Sequence, residues 1–347
     1  MDTVSPLFIQ SVCLRVDRPT LWESTLLSSR WGSMCAAINK KVYTLKVELS
    51  NTEGKIYVAA ENTAFFHSMD DDDDDSVDDD ALVHLDRVNL KFITNFHIMQ
   101  VQDKYKWRNM QEWKELTLDE LQRLLKIIRP TRRERHPMRF DYDSSNLLRL
   151  NDDSWIMGKL HSMSLPMDGF YMNVQNAGPR TTSHVDKLIE NAGFLYAISS
   201  GEHGGCRLKQ RTVTMLTEKF VPIDGGRFVL GQELSKEQRS RLFHKCVEAN
   251  KRVVVVLRVD ATAFDLKEIV DYDKYYTEKK INKKEKSVMF ANRDEGKLDL
   301  LVIHLGGKLE WHWGPSDGKV SGAMDSDAYS EDDSDMDNSD DMDNSDD

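Results

Sequence analysis

Residues 235–259 read SKEQRSRLFHKCVEANKRVVVVLRV, and this stretch decides the fold class. Ser235 and Gln238 stand three apart, the spacing of a capping box, in which each side chain accepts a hydrogen bond from the other residue's backbone amide. Leu242, Phe243, Cys246 and Val247 then recur at three-to-four spacing, which gives a helix one apolar face. The helix ends at Asn250. Val253 to Val259 is a nearly unbroken apolar run, as expected of a strand covered on both sides. Helix, short turn and buried strand together predict an α/β layer.

Working outward, the same step recurs. Thr181 to Asn191 reads as a helix with Gly193 at its end, followed by a buried strand from Phe194 to Ile198. Thr117 and Glu120 form a second capping box, and Leu121, Leu124, Leu125 and Ile128 make an apolar stripe that Pro130 ends, so Trp113 to Ile128 carries a helix signature. Leu82 to Val101 is rich in strand formers, and Met138 to Tyr142, Leu147 to Leu150 and Phe170 to Val174 are expected as short strands. Thr131 to Arg139 is basic and reads as a surface loop. On the C-terminal side, Val288 to Phe290, Leu298 to Leu305 and Leu309 to Trp313 read as a strand meander, with Leu309, Trp311 and Trp313 on one face and Glu310 and His312 on the other. Residues 42–315 are therefore expected to form an α+β to α/β region. Its repeated helix–strand step suggests a curved repeat assembly or a simple layer, although no fixed period survives counting.

The N-terminal segment differs in period. From Val42 the apolar residues alternate (Tyr43, Leu45, Val47, Leu49), and Lys55 to Ala59 can pair with them as a hairpin across Asn51 to Gly54. Before that, Phe8, Ile9 and Val12, then Leu21, Leu27, Trp31 and Met34, fall at helical spacing. Ser5 and Pro6 supply a start signal, Asp17-Arg18-Pro19 a stop, and Thr20 a possible second cap. Residues 1–41 read as a helical hairpin or triplet too short to bury both its faces alone.

Charge is unevenly placed. The formal net charge is −12, but Asp325 to Asp347 contains twelve acids and no Lys or Arg, and Asp70 to Asp75 with Asp78 to Asp80 adds nine more. Without both runs the chain carries about +9. Such runs repel themselves and have nothing apolar to bury, so a disordered loop at 68–81 and a disordered tail at 316–347 are expected. The tail ends in a tandem repeat, MDNSDD twice from Met336. Ser330 and Ser334 each have an acid three residues on, a pattern that acidophilic kinases phosphorylate.

Chemistry-bearing motifs are few. The P-loop, the dinucleotide glycine pattern and the hydrolase G-x-S-x-G elbow do not occur. His203-Gly204-Gly205-Cys206 is a close His/Cys pair, and a zinc site needs two further ligands. The sequence thus leads us to expect a non-catalytic chain with no cofactor and no metal. Cys13, Cys35, Cys206 and Cys246 are widely spaced, which fits a reducing compartment, and no run approaches the roughly 20 apolar residues of a membrane span. A cytoplasmic or nuclear location, without membrane, is expected. The basic run Lys279 to Lys286 follows Tyr272, Tyr275 and Tyr276; it reads as a solvated linker, with single-stranded nucleic acid as the functional alternative.

Leu21 to Trp31 resembles the second half of an F-box, whose pattern places leucine ten residues before tryptophan and a valine or leucine, then serine, in the four before it. Leu21, Leu27, Ser28, Arg30 and Trp31 occupy those positions. Pro6 precedes the first helix as the family's proline does, Ile9 matches the apolar position after it, and Val12 to Leu14 cover the next. Phe8 stands where the family usually has an acid. The layout is similar to that of the large nematode-type F-box families, with a divergent F-box followed by a leucine-rich-repeat-like or α/β region. The resemblance implies a substrate-recruiting subunit of a Skp–cullin–F-box ubiquitin ligase. Its adaptor-binding residues would be Pro6, Leu7, Ile9, Val12, Leu14, Leu21, Leu27 and Trp31, and the C-terminal region would hold a protein substrate. The competing reading is an acidic-tailed nuclear interaction or chaperone-like protein that binds basic partners such as histones.

Overall fold

The computed structural model describes residues 4–51, 53–62, 82–101, 110–128, 136–150, 155–173, 179–201, 207–259, 270–282, 286–292, 296–305 and 307–315. Among them are three N-terminal helices, α1 (Pro6–Cys13), α2 (Arg18–Thr25) and α3 (Arg30–Asn39). They lead into a 14-stranded mixed sheet. The chain is mixed α/β.

The sheet is organised around its parallel centre. β1 (Tyr43–Ser50) pairs in parallel with β4 (Ile93–Val101), and from there β6 (Leu147–Leu150), β7 (Gly169–Met172), β8 (Ala197–Ser200), β9 (Gly226–Glu233) and β10 (Val253–Arg258) follow side by side in chain order, all parallel. Each step from β6 to β10 passes through a helix: α5 (Met157–Leu160), α6 (Pro179–Asn191), α7 (Gln210–Lys219) and α8 (Lys236–Ala249). Parallel crossovers are right-handed, so a sheet that always advances in one direction lays its helices on one face. The core records this. Leu148, Phe170, Ile198, Phe228 and Val255 belong to the main apolar core with α6, α7 and α8, whereas Leu147, Ala197, Val229 and Val256, one position away, lie on the opposite face, outside that core and buried as well.

Antiparallel strands finish both ends. β2 (Lys55–Glu61) pairs with β1 and carries β3 (Leu82–Val83) and β5 (Lys114–Leu116). At the other end β14 (Lys308–Gly314) joins β10, followed by β13 (Asp299–Leu305), β12 (Ser287–Ala291) and the edge strand β11 (Glu278–Asn282). Trp311 and Trp313 are buried there, and their indole N–H groups donate to the hydroxyls of Tyr272 and Tyr276, both at 2.9 Å.

Both capping boxes form as the spacing predicts, Thr117 with Glu120 at α4 (Leu118–Ile127) and Ser235 with Gln238 at α8. Several boundaries differ. The Trp113 end of the first helix signature is β5, because Lys114–Leu116 pairs with β2 before Thr117 caps the helix. Leu82 to Val101 is not one strand: His84 and Asn89 accept bonds from amides two residues on, closing short 3-10 turns before β4 begins. The strand expected from Phe194 starts at Ala197, and Phe194 itself is exposed. Met138 to Tyr142 contributes a single bridge, Arg139 to Asp224, and then a 3-10 turn. Lys279 and Lys280 lie in β11 and not in a linker. The acidic loop at 68–81, the tail at 316–347 with Ser330 and Ser334, most of the basic Thr131–Arg139 loop, and His203 with Cys206 lie outside the described residues.

Candidate functional site

The three N-terminal helices have a core of their own. Ile9 and Cys13 from α1, Leu21 from α2, Cys35 and Ile38 from α3, and Val42 just after it form a cluster separate from the main core, with Leu14, Trp31 and Met34 packed on its rim. Capping holds the corners. Asp17, and not Thr20, caps α2 by accepting from the Thr20 amide at 2.8 Å, and Ser29 caps α3 by accepting from Gly32 at 3.4 Å. Ser5 makes no capping bond, so α1 relies on Pro6 in its first turn. Cys13 and Cys35 meet with their sulfurs 3.4 Å apart. Burial pushes the Cys13 thiol up to about 12, and its bond to Cys35 adds to the shift.

This small core leaves much apolar surface outside. Leu7 is 76 % exposed, Leu26 70 %, Phe8 56 %, Leu27 52 % and Trp22 41 %. Five of the eleven exposed large apolar side chains among the described residues thus fall between Leu7 and Leu27. The eight residues singled out by the resemblance divide in two. Ile9 and Leu21 are fully interior, and Leu14 and Trp31 pack on the rim, so these four hold the module together. Pro6, Leu7 and Leu27 face solvent, and Val12 is half-buried. Phe8, Trp22 and Leu26 join the outer set unforeseen. Both members of the adjacent apolar pairs Leu7-Phe8 and Leu26-Leu27 stay outside, the second pair lying just beyond the end of α2.

A polar joint ties the module to the sheet. Arg139 grips the Asp17 carboxylate with two bonds, Nε to Oδ2 at 3.1 Å and Nη2 to Oδ1 at 2.7 Å, and also reaches the Thr20 hydroxyl at 3.0 Å. Burial alone would raise the Asp17 carboxyl, but the bonds from Arg139 and Thr20 outweigh it and hold it below its usual value. Arg18 is buried; its amide donates to Ser144 Oγ at 2.7 Å and its guanidinium reaches Thr94 at 3.4 Å. Burial pulls Arg18 down to about 10, and the nearby Asp143, Asp141 and Glu61 counter that pull. Beside it, His97 is fully enclosed. Its Nε2 donates to the Tyr142 carbonyl at 3.0 Å and its Nδ1 faces Lys46 Nζ at 3.3 Å, an arrangement that requires the neutral ring. Burial, then Lys46, holds His97 well below its ordinary value. Lys46 completes the cluster with an ion pair to Glu61 at 2.8 Å.

The helix-free face of the sheet is the second surface of note. One register row runs Met99, Arg149, Tyr171, Ser199, Val229 and Val256 from β4 to β10. The neighbouring row runs His97, Leu147, Gly169, Ala197, Arg227 and Val254. The Tyr171 ring folds over Gly169, where an added Cβ would lie 3.2 Å from Tyr171 Cε2 and 2.6 Å from Leu147 Cδ2. Arg149 stacks on the same ring, 5.7 Å from its centroid, and Tyr142 meets it edge-on at 6.5 Å. Burial raises the Tyr171 phenol, and Tyr142 adds to that, while Arg149 and Arg227 oppose it. In the same row as Arg149 and two strands toward the β1 end, burial pushes Glu48 up to about 7, with Lys46 as the opposing charge.

No family model, curated protein or solved structure matches the chain. Among the described residues no group of three or more His, Cys, Asp or Glu is placed to hold a metal ion, and no helix is long and apolar enough to cross a membrane. The features left to carry function are two surfaces, one apolar on the helices and one charged on the sheet.

Proposed function

We propose that the chain is a substrate-recruiting subunit of a Skp–cullin–F-box ubiquitin ligase and that residues 4–41 are its F-box. The observation that carries this reading is the division of the helical segment into a minimal core (Ile9, Cys13, Leu21, Cys35, Ile38) and an uncovered apolar set (Leu7, Phe8, Trp22, Leu26, Leu27). Burying one such side chain gains about 1.5–3 kcal/mol, so a partner that covers most of the set forms a lasting complex even after the costs of association. The role needs no catalytic residue in this chain. The adaptor holds the helices, the leucine-rich-repeat-like sheet region holds a protein substrate, and the joint at Asp17 and Arg139 sets the direction in which that substrate is presented. Raised effective concentration at the ubiquitin-conjugating enzyme then does the work. The action is cytoplasmic or nuclear.

The test is co-purification with a Skp-type adaptor. The wild-type chain is expected to retain the adaptor, and the double variant Leu7→Asp, Leu27→Asp to lose it while melting at the wild-type temperature. Equal recovery of the adaptor with both proteins, or with neither, would sink the reading. The second of those outcomes, with binding to histones instead, would favour the acidic-tailed nuclear interaction protein.

A further inference from the structure

The two ends of the sheet are finished differently. At the β2 end, β5 lies along Ile56 to Val58 and β3 along Ala60 and Glu61, so two short strands occupy most of the outer edge. At the other end β11 pairs with β12 on one side, and among the described residues no strand lies beyond it. All five residues of β11 are exposed. A strand in that position presents main-chain N–H and C=O groups with which a further strand can pair.

The side chains of this edge select the strand it can take. Lys280 lies opposite Met289, whereas Lys279 and Ile281 lie opposite Phe290 and Val288, which belong to the main core. The Lys279 amine is held over the Phe290 ring, 5.4 Å from its centroid, and Lys279 is nevertheless exposed. Ile281 is 62 % exposed beside a Val288 that is 8 % exposed, so the apolar face of the sheet ends on an uncovered isoleucine. Lys286, also exposed, stands just before β12. A second copy of this edge is a poor occupant. Antiparallel pairing centred on the strand sets Lys280 against Lys280, and like charges directly opposite one another are destabilising. An acidic strand reverses that sign, because its carboxylates face Lys279 and Lys280 while a β-branched neighbour covers Ile281.

We propose that β11 is a strand-addition site for an extended acidic segment of a protein partner, which extends the sheet through main-chain hydrogen bonds and is selected by Lys279, Lys280 and Ile281. Main-chain pairing supplies the affinity in this mode, and the alternating side chains supply the choice of sequence. That the partner is a ubiquitination substrate rests on the ligase reading above; the strand pairing does not.

The experiment is fluorescence anisotropy on the full-length chain with a labelled peptide whose core is Thr-Val-Glu-Glu-Val-Thr. This core is a palindrome, so in either strand direction glutamates face Lys279 and Lys280 and a valine faces Ile281. Controls are the same peptide with both Glu replaced by Lys, a version with both Val replaced by Pro, and a single-stranded oligonucleotide. The Glu peptide is expected to bind at least about tenfold more tightly than the Lys peptide, and the Pro peptide, of equal charge, to lose binding because it cannot pair as a strand. The double variant Lys279→Glu, Lys280→Glu should reverse the preference and take the Lys peptide, which also shows that it is folded. Arg123→Glu with Lys126→Glu on α4 makes the same change in net charge and should leave the preference as it is. Amide exchange should show new protection at residues 278–282 when the Glu peptide is bound. Equal binding of the Pro peptide, tighter binding of the oligonucleotide than of any peptide, or a dimer in sedimentation that the peptide dissociates would each overturn the proposal. Adaptor co-purification on the same samples separates the two claims. A chain that keeps the adaptor but ignores the Glu peptide defeats this inference alone, and one that binds the peptide but never the adaptor defeats the ligase reading alone.

Discussion

In the three-helix module six buried side chains hold three helices together while Leu7, Phe8, Trp22, Leu26 and Leu27 stay in solvent. In the sheet the proportion reverses: Phe170, Ile198, Phe228 and Trp311 are fully enclosed, and the opposite face carries Arg149, Tyr171, Ser199 and Arg227, all half-buried. The difference has a physical source. A sheet with helices on one side can assign every second residue inward, so its apolar residues are consumed by its own core. Three short helices enclose too little volume to do the same, and what they cannot bury they display. The apolar surface that needs a cover is therefore on the helices and not on the sheet.

The comparison can be broken at its strongest point first. Phe170→Ala removes a fully enclosed ring from the sheet core and should cost about 3–5 kcal/mol in chemical denaturation, with loss of both surfaces. Leu21→Ala in the smaller core should cost about 2–3 kcal/mol, and it should abolish adaptor capture while leaving amide exchange in the sheet strands unchanged. Equal loss of protection in helices and strands would show that the two cores are one cooperative unit. Arg139→Ala tests the joint and should cost about 1 kcal/mol. Because the Asp17 carboxyl lies below its ordinary value of 3.8 in the folded chain, the pair's contribution is present above that pH and is lost as the pH falls below it. The wild type and Arg139→Ala should therefore differ at pH 7 and converge in acid.

Glu48→Gln is the subtlest change. The folded carboxyl sits at about 7 against an ordinary 4.5, so the folded state holds the proton more tightly. Glu48 then favours folding below pH 4.5, and that advantage is lost as the pH rises through about 7. The glutamine variant should match the wild type at pH 4 and exceed it in melting temperature at pH 8, with the gap opening between. A constant gap across that range would show that Glu48 is not shielded from water.

Much of the architecture was legible. The capping boxes at Thr117 and Ser235 and the run Val253 to Val259 marked two helices and a buried strand because each signal is local. The apolar alternation of Leu309, Trp311 and Trp313 likewise foretold a buried face. Signals that depend on distant partners were not readable. Lys114 to Leu116 becomes a strand because β2 lies alongside, and Phe194 stays outside because Leu195, next to it, bridges to Phe220 instead. The parallel order of β6 to β10 was equally hidden, since helices of unequal length between the strands destroy any fixed period. In the helical module the residues that carry the resemblance mix inner ones such as Ile9 and Leu21 with outer ones such as Leu7 and Leu27. Spacing identifies a stripe, and only the packed helices tell which side of it is covered.

The central claim is that the helices dock an adaptor through their outer apolar set, and amide hydrogen exchange tests it most directly. With a saturating Skp-type adaptor, the account predicts new protection confined to residues 5–27, with strands β6 to β9 unchanged. Protection absent from that span, or appearing on the sheet face instead, would contradict it.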